Sequence, residues 1–308
     1  MDNYAVDLPQ WTKEQIDREC GAAHRVYVRS LEKHYIDYFQ RNQELACPRH
    51  PFSARTISAA LPPGCCDLQK LIRPDLIHRF AHSAKSSQML GLSLLGNAAQ
   101  NDPSLGWFSS AMNLPFDFSR RPVLRFEHCL TPSDLNETPR TTKLDVTIAT
   151  QQAFIAVETK WSEAGFGICS CIKDGDGNPS PGFDCCARVR SRTAYWQVSH
   201  QFFGLDAIRL PLLPCSLSVC YQAVRNVAAA RCLSRDRCAG FVLIYDKANP
   251  YFRSTGRWHG WPIMLASRLL RFENSGLLFR TISWQEFVPQ LPLTESVREW
   301  AREKHRLG

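Results

Sequence analysis

No stretch of this chain stays apolar for long enough to cross a bilayer. Its longest apolar runs, such as FVLIY at 241–245, fall far short of the roughly 20 residues a membrane helix needs. That excludes a helical membrane span. The opening MDNYAVDLPQWTKEQ has no basic segment followed by an apolar one, so no secretory leader is expected and the cytoplasm is the expected compartment. Internal repeats and low-complexity tracts are absent, which excludes repeat architectures and linker-like chains. With 44% hydrophobic and 21% charged residues, the composition is not that of a disordered chain. At 308 residues there is enough length for one large domain or two modest ones around a substantial core.

Two features are present in excess. Basic residues outnumber acidic ones, 37 to 29, mostly as arginine, and the net charge is +8. A basic surface suits a polyanionic partner such as DNA or RNA. Cysteine is abundant, with 13 residues. The odd number and a reducing compartment argue against disulfides, leaving small buried residues or metal ligands.

Periodicity organises the rest. The chain to about residue 45 predicts a helix: Thr12 can cap it, and Ile16, Cys20, Ala23, Tyr27, Leu31 and Tyr35 recur at spacings of three and four. Segment 46–66 is interrupted by prolines from Pro48 to Pro63 and reads as a loop or arm. Residues 83–100 read as a buried helix and 101–121 as irregular chain. Strand patterns follow at 122–129, Lys143–Ala149 and Ala153–Lys160, the last two joined by a short link at 150–152. A Gly-, Cys- and Pro-rich loop occupies 162–184. After it, helices are expected at 190–205 and 216–232, strands at 241–246 and 277–282, and an amphipathic helix from about Thr294. The order is helix, three strands, helix, strand, which suits an α/β sandwich.

The stretch KLDVTIATQQAFIAVETKW at 143–161 carries charge where buried strands should not. Glu158 and Lys160 are two apart and project to one face. The tight link makes the two strands neighbours, so Asp145 falls beside positions 157–159. Two carboxylates at one point repel unless a cation lies between them. Mg²⁺ is commonly held by one or two carboxylates together with waters and phosphate oxygens. A lysine alongside can orient a bound water and stabilise charge on phosphate. Such a set suits phosphodiester hydrolysis. The plainer alternative is a structural Asp145–Lys160 ion pair at a strand edge, with Glu158 exposed.

The pattern D-x(n)-E-x-K on adjacent strands of an α-β-β-β-α-β core resembles the PD-(D/E)xK nuclease superfamily, with its restriction-endonuclease-like fold. Leu144, not proline, precedes Asp145. The segments SSQ at 86–88, RFE at 125–127 and YQAVRN at 221–226 further resemble a bacterial subgroup of restriction-endonuclease-like proteins. The resemblance covers roughly residues 80–290. It implies an α/β fold: a mixed sheet flanked by helices, with helical N-terminal and C-terminal additions. The divisions would be a helical region and arm at 1–80, the nuclease-like domain at 81–290 with a Cys-rich insertion at 162–189, and a C-terminal helix at 291–308. It also implies Mg²⁺ or Mn²⁺ on Asp145, Glu158 and the Thr159 carbonyl, with Lys160 positioning the water. Gln88 stands on the first core helix where many members carry a glutamate. Gln222 and Arg225 would lie near the scissile phosphate. The expected partner is DNA, cut endonucleolytically, by one copy of the chain or a homodimer, with no membrane involved.

Other groups carry weaker patterns. Cys169, Cys171, Cys185 and Cys186 form C-x-C, a 13-residue gap, then C-C. Zinc sites usually space paired ligands by two to four residues, so the fit to Zn²⁺ is poor; an iron–sulfur cluster also uses four thiolates. Glu127 reads either as a third acidic ligand or as the end of its strand, and the second reading is preferred. The rivals to a nuclease are a non-catalytic nucleic-acid-binding module of the same fold and a thiolate-metal nucleic-acid protein.

Overall fold

The computed structural model describes residues 11–116, 118, 122–137, 141–167, 202, 218–269 and 276–308. The first helix, α1 (Lys13–Arg41), starts at a capping box in which Thr12 and Gln15 satisfy each other's backbone N–H groups. It buries Ile16, Cys20, Leu31, Tyr35, Tyr38 and Phe39.

The arm that follows is more ordered than its prolines suggest. It contains a two-stranded ribbon, β1 (Ala46–Cys47) and β2 (His50–Ala54), and a helical turn at Ile57–Ala60. Pro48 falls in the link and Pro51 on a ribbon strand, positions where a missing N–H is tolerated. Helix α2 (Ser87–Asn101) is capped by Ser86, and every residue from Met89 to Ala98 is buried.

Five strands form the main sheet: β3 (Val123–Cys129), β4 (Lys143–Ala149), β5 (Ala153–Lys160), β6 (Cys238–Tyr245) and β7 (Leu277–Ser283), in that spatial order. The first three pair antiparallel, and β5, β6 and β7 pair parallel. Helix α3 (Tyr221–Ser234) precedes β6, as the return of a parallel strand demands. The sequence α2-β3-β4-β5-α3-β6 is thus the expected α-β-β-β-α-β core, and β7 extends its edge. Strand β5 is central and buried along its whole length. One face packs Val146, Ile148, Ile155 and Val157 with the leucines of α2. The other packs Phe154, Ala156, Phe241 and Leu243 with Ala223 and Val227 of α3.

Several boundaries differ from the sequence reading. Strand β6 begins at Cys238 because Cys238, Ala239 and Gly240 pair with Ala153, Phe154 and Ile155. Helix α3 begins at Tyr221, after a single turn at Ser218–Cys220. Helices also lie where none was expected, at Gly106–Ala111, Pro132–Leu135 and α4 (Trp261–Leu269). Helix α5 (Glu295–His305) closes the chain and buries Val297, Trp300, Ala301, Lys304 and His305. The expected helix at 190–205 and the four cysteines at 169–186 lie outside the described residues, apart from position 202. No helix among the described residues is long and apolar enough to cross a membrane.

Candidate functional site

The β4–β5 ladder stops at Val146↔Val157. Beyond that pair the Asp145 side chain takes over. Its Oδ2 accepts hydrogen bonds from the Thr159 backbone N–H (3.0 Å) and the Thr159 hydroxyl (3.1 Å). In an extended strand the N–H and C=O of one residue point the same way. The Thr159 carbonyl is therefore directed toward the side that Asp145 occupies.

Glu158 is fully buried, so the edge ion pair with an exposed Glu158 is not what forms. Its Oε1 lies 2.7 Å from Lys160 Nζ as an ion pair, and no further donor reaches that oxygen. Oε2 accepts from Asn226 Nδ2 at 2.5 Å. Lys160, only 5% exposed, also donates to Gln222 Oε1 at 2.8 Å. Asn226 and Gln222 are one turn apart on α3. This helix face therefore holds both ends of the E-x-K tripeptide.

The charges are unbalanced. Burial, and then the nearby Glu158, push the Asp145 carboxyl well above its ordinary range, against the pull of Lys160. Burial draws the Lys160 ammonium down, but Glu158, Glu163 and Asp145 outweigh it and the net shift is upward. The surrounding carboxylates thus favour the charged form of Lys160.

A third carboxylate faces this pair. Glu127 has φ +48° and lies between the pairs Phe126↔Val146 and His128↔Leu144, opposite Asp145. A non-glycine residue in the left-handed region inside a strand is uncommon and marks a local constraint. Burial raises the Glu127 carboxyl, although hydrogen bonding to Gln88 and the charge of Lys143 oppose it. The preferred reading of Glu127 as a mere strand end is corrected: its side chain lines the same cleft as Asp145, Glu158 and Lys160.

That cleft has a volume of about 1320 Å³, and Gln88, Gln222 and Arg225 also line it. Gln88 turns toward the arm. Its Oε1 accepts from His78 N–H (2.9 Å) and its Nε2 donates to the Leu76 carbonyl (3.2 Å). Arg225 sits over the Tyr221 ring, 5.7 Å from its centroid, and its buried Nε has no hydrogen-bond partner. Glu163 accepts from Trp161 N–H (2.7 Å) and from the Ser87 hydroxyl, tying the end of β5 to the start of α2.

Asn226 and Glu163 are the site neighbours that the motif reading gave no role. A signal existed for Asn226, four residues beyond Gln222. None existed for Glu163. Among the described residues no group of three or more His, Cys, Asp or Glu side chains is disposed as a metal cage. No two of the eight cysteines among them are joined by a disulfide.

The family model described as Restriction Endonuclease associating with ARP matches residues 68–304, from the arm to the end of α5. No curated protein and no solved structure matches the chain. With a mixed sheet, its helices and a match over most of its length, the chain belongs to this restriction-endonuclease-like, PD-(D/E)xK-related family.

Proposed function

We propose that the chain is a divalent-metal-dependent nuclease that hydrolyses DNA phosphodiester bonds as an endonuclease. The observation that carries this reading is that half-buried Asp145 and buried Glu158 and Lys160 lie together where β4 and β5 part, on the wall of one open cleft. The donor set fits a hard cation. Two carboxylates and a backbone carbonyl lie at one strand end, one carboxylate oxygen accepts no hydrogen bond, and burial and the neighbouring Glu158 raise the Asp145 carboxyl, a strain that a cation would relieve. Asp145, Glu158 and the Thr159 carbonyl would hold Mg²⁺ or Mn²⁺. When bound, such an ion acidifies a water and polarises a phosphoryl oxygen.

The chain's own groups do the rest. Lys160, fixed by Gln222, presents a permanent ammonium that orients the water and offsets charge developing on the phosphate. Asn226 holds Glu158 in place. Arg225 lines the cleft, where its guanidinium suits a phosphate oxygen. Gln88 braces the arm and Glu127 and contacts the substrate region only through them. Membership of the family also brings an association with ARP into the reading.

Incubation with circular and linear DNA across a Mg²⁺ and Mn²⁺ titration tests this. Wild type should cut circles, and Asp145→Asn, Glu158→Gln and Lys160→Ala should each abolish cutting with unchanged circular dichroism. Full activity in Asp145→Asn or Lys160→Ala would sink the assignment. A specific feature favours a second reading, a non-catalytic nucleic-acid-binding module: Lys160 already neutralises Glu158. Calorimetric titration with Mg²⁺ separates the two, since uptake lost in Asp145→Asn belongs only to the nuclease. Zinc and iron assays decide separately whether Cys169, Cys171, Cys185 and Cys186 bind metal.

A further inference from the structure

The arm contributes the opposite wall of the cleft, and its chemistry differs from that around the acids. Phe80 is 54% exposed, and among the described residues it is the one aromatic side chain left mostly in water. The Arg79 guanidinium lies 4.5 Å from its ring centroid, and the His78 ring is 5.2 Å away. Arg55 and His50 line the same wall, both exposed. Phe80 lies outside the hydrophobic core clusters, whereas most aromatics of the chain are buried in them.

An exposed ring beside an arginine, in a cleft that also holds carboxylates, has a chemical counterpart. Unpaired nucleobases offer π-faces for stacking, and the adjoining phosphates suit arginine. Paired bases do not, because their faces are already stacked inside the duplex. We infer that the arm is a strand-holding wall on which Phe80 stacks an unpaired base while Arg79 and Arg55 hold neighbouring phosphates. The favoured substrate is then a single-stranded or frayed nucleic-acid segment. This inference deepens the nuclease reading and rests on it for the fate of the strand, but not for the binding itself.

Fluorescence anisotropy with a labelled single strand and with its duplex, in chelator so that no metal-dependent cutting occurs, tests the wall alone. Wild type should bind the single strand more tightly than the duplex. Phe80→Ala should lose about tenfold in single-strand affinity, the loss of one base stack, with duplex binding unchanged, and Phe80→Tyr should restore it. The exposed position leaves the fold intact, which circular dichroism checks. Equal single-strand affinity in Phe80→Ala, or tighter duplex binding by wild type, overturns the inference. Failure of the nuclease reading looks different. Phe80-dependent binding without cleavage in any metal would leave the wall standing and remove the enzyme; cleavage and binding both indifferent to Phe80 would do the reverse.

Discussion

Asp145 meets opposing demands. Its side chain replaces a missing ladder bond to Thr159, and its charge is disfavoured by burial and by Glu158. A carboxyl raised in the folded state keeps its proton longer than in the unfolded chain. Stability is therefore full below the ordinary carboxylate value of 3.8 and is lost as pH rises toward the folded value. Asp145→Asn removes that loss. It should stabilise the protein at neutral pH by about 1–3 kcal/mol while ending cleavage, which paired thermal melts and nicking assays can read. Lys160→Ala should do the opposite to the fold. It leaves the Glu158 charge buried without its cation, at a cost of about 3–5 kcal/mol seen in urea unfolding. These two residues and Glu158 were legible in the sequence because an E-x-K spacing and a hydrophobic strand name their own face. For Glu127 the sequence left two readings open, because its placement opposite Asp145 depends on a left-handed backbone at one strand position.

Helices α2 and α3 hold β5 from opposite faces, and each does so with a small or polar residue at the contact. On α2, a Cβ at Gly91 would meet Thr159 Cγ2 at 3.3 Å and Oγ1 at 3.4 Å. That close approach places the helix against the hydroxyl that bonds Asp145. Gly91→Val should press on Thr159, cost about 1–3 kcal/mol in chemical denaturation, and lower cleavage more than distant core changes of equal cost. On α3, Asn226→Leu keeps the helix but removes the hold on Glu158. Cleavage should fall on the order of tenfold or more in kcat, and Asn226→Asp should not restore it, because a third buried acid repels Glu158. The positions of both helices along the chain follow from periodicity. Which residue touches the site does not, since helix rotation is set by packing and not by spacing.

At the scale of the whole molecule, α1 and α5 meet at the residue that follows Lys160. Tyr35 of α1 accepts a hydrogen bond from Trp161 Nε1 at 2.7 Å and lies 3.1 Å from His305 Nδ1 of α5. The residue after Lys160 is thus anchored by both termini of the described fold. Next to His305, Lys304 is buried and donates to the Ala60 carbonyl at 2.8 Å, with Trp300 and Phe39 rings nearby. Burial pulls its ammonium from 10.5 down to about 7. Between these values the unfolded chain binds a proton that the folded chain does not, so this group makes stability rise with pH across that window. Lys304→Met should raise stability at neutral pH and flatten that rise, as urea titrations at several pH values would report. If the wild-type and variant curves run parallel, Lys304 is not the source.

By itself the sequence determined the alternation of helix and strand, the α-β-β-β-α-β order and the E-x-K face. Each is a local matter of period, spacing and turn chemistry, carried by neighbouring residues. Tertiary structure decided the rest: β5 against β6 across some eighty residues of chain, Asn226 on Glu158, Glu127 opposite Asp145, and the arm as the far wall of a cleft. Those contacts join residues far apart in sequence. They arise from burial of whole faces and from charge balance in a low-dielectric interior, which no short stretch of chain records.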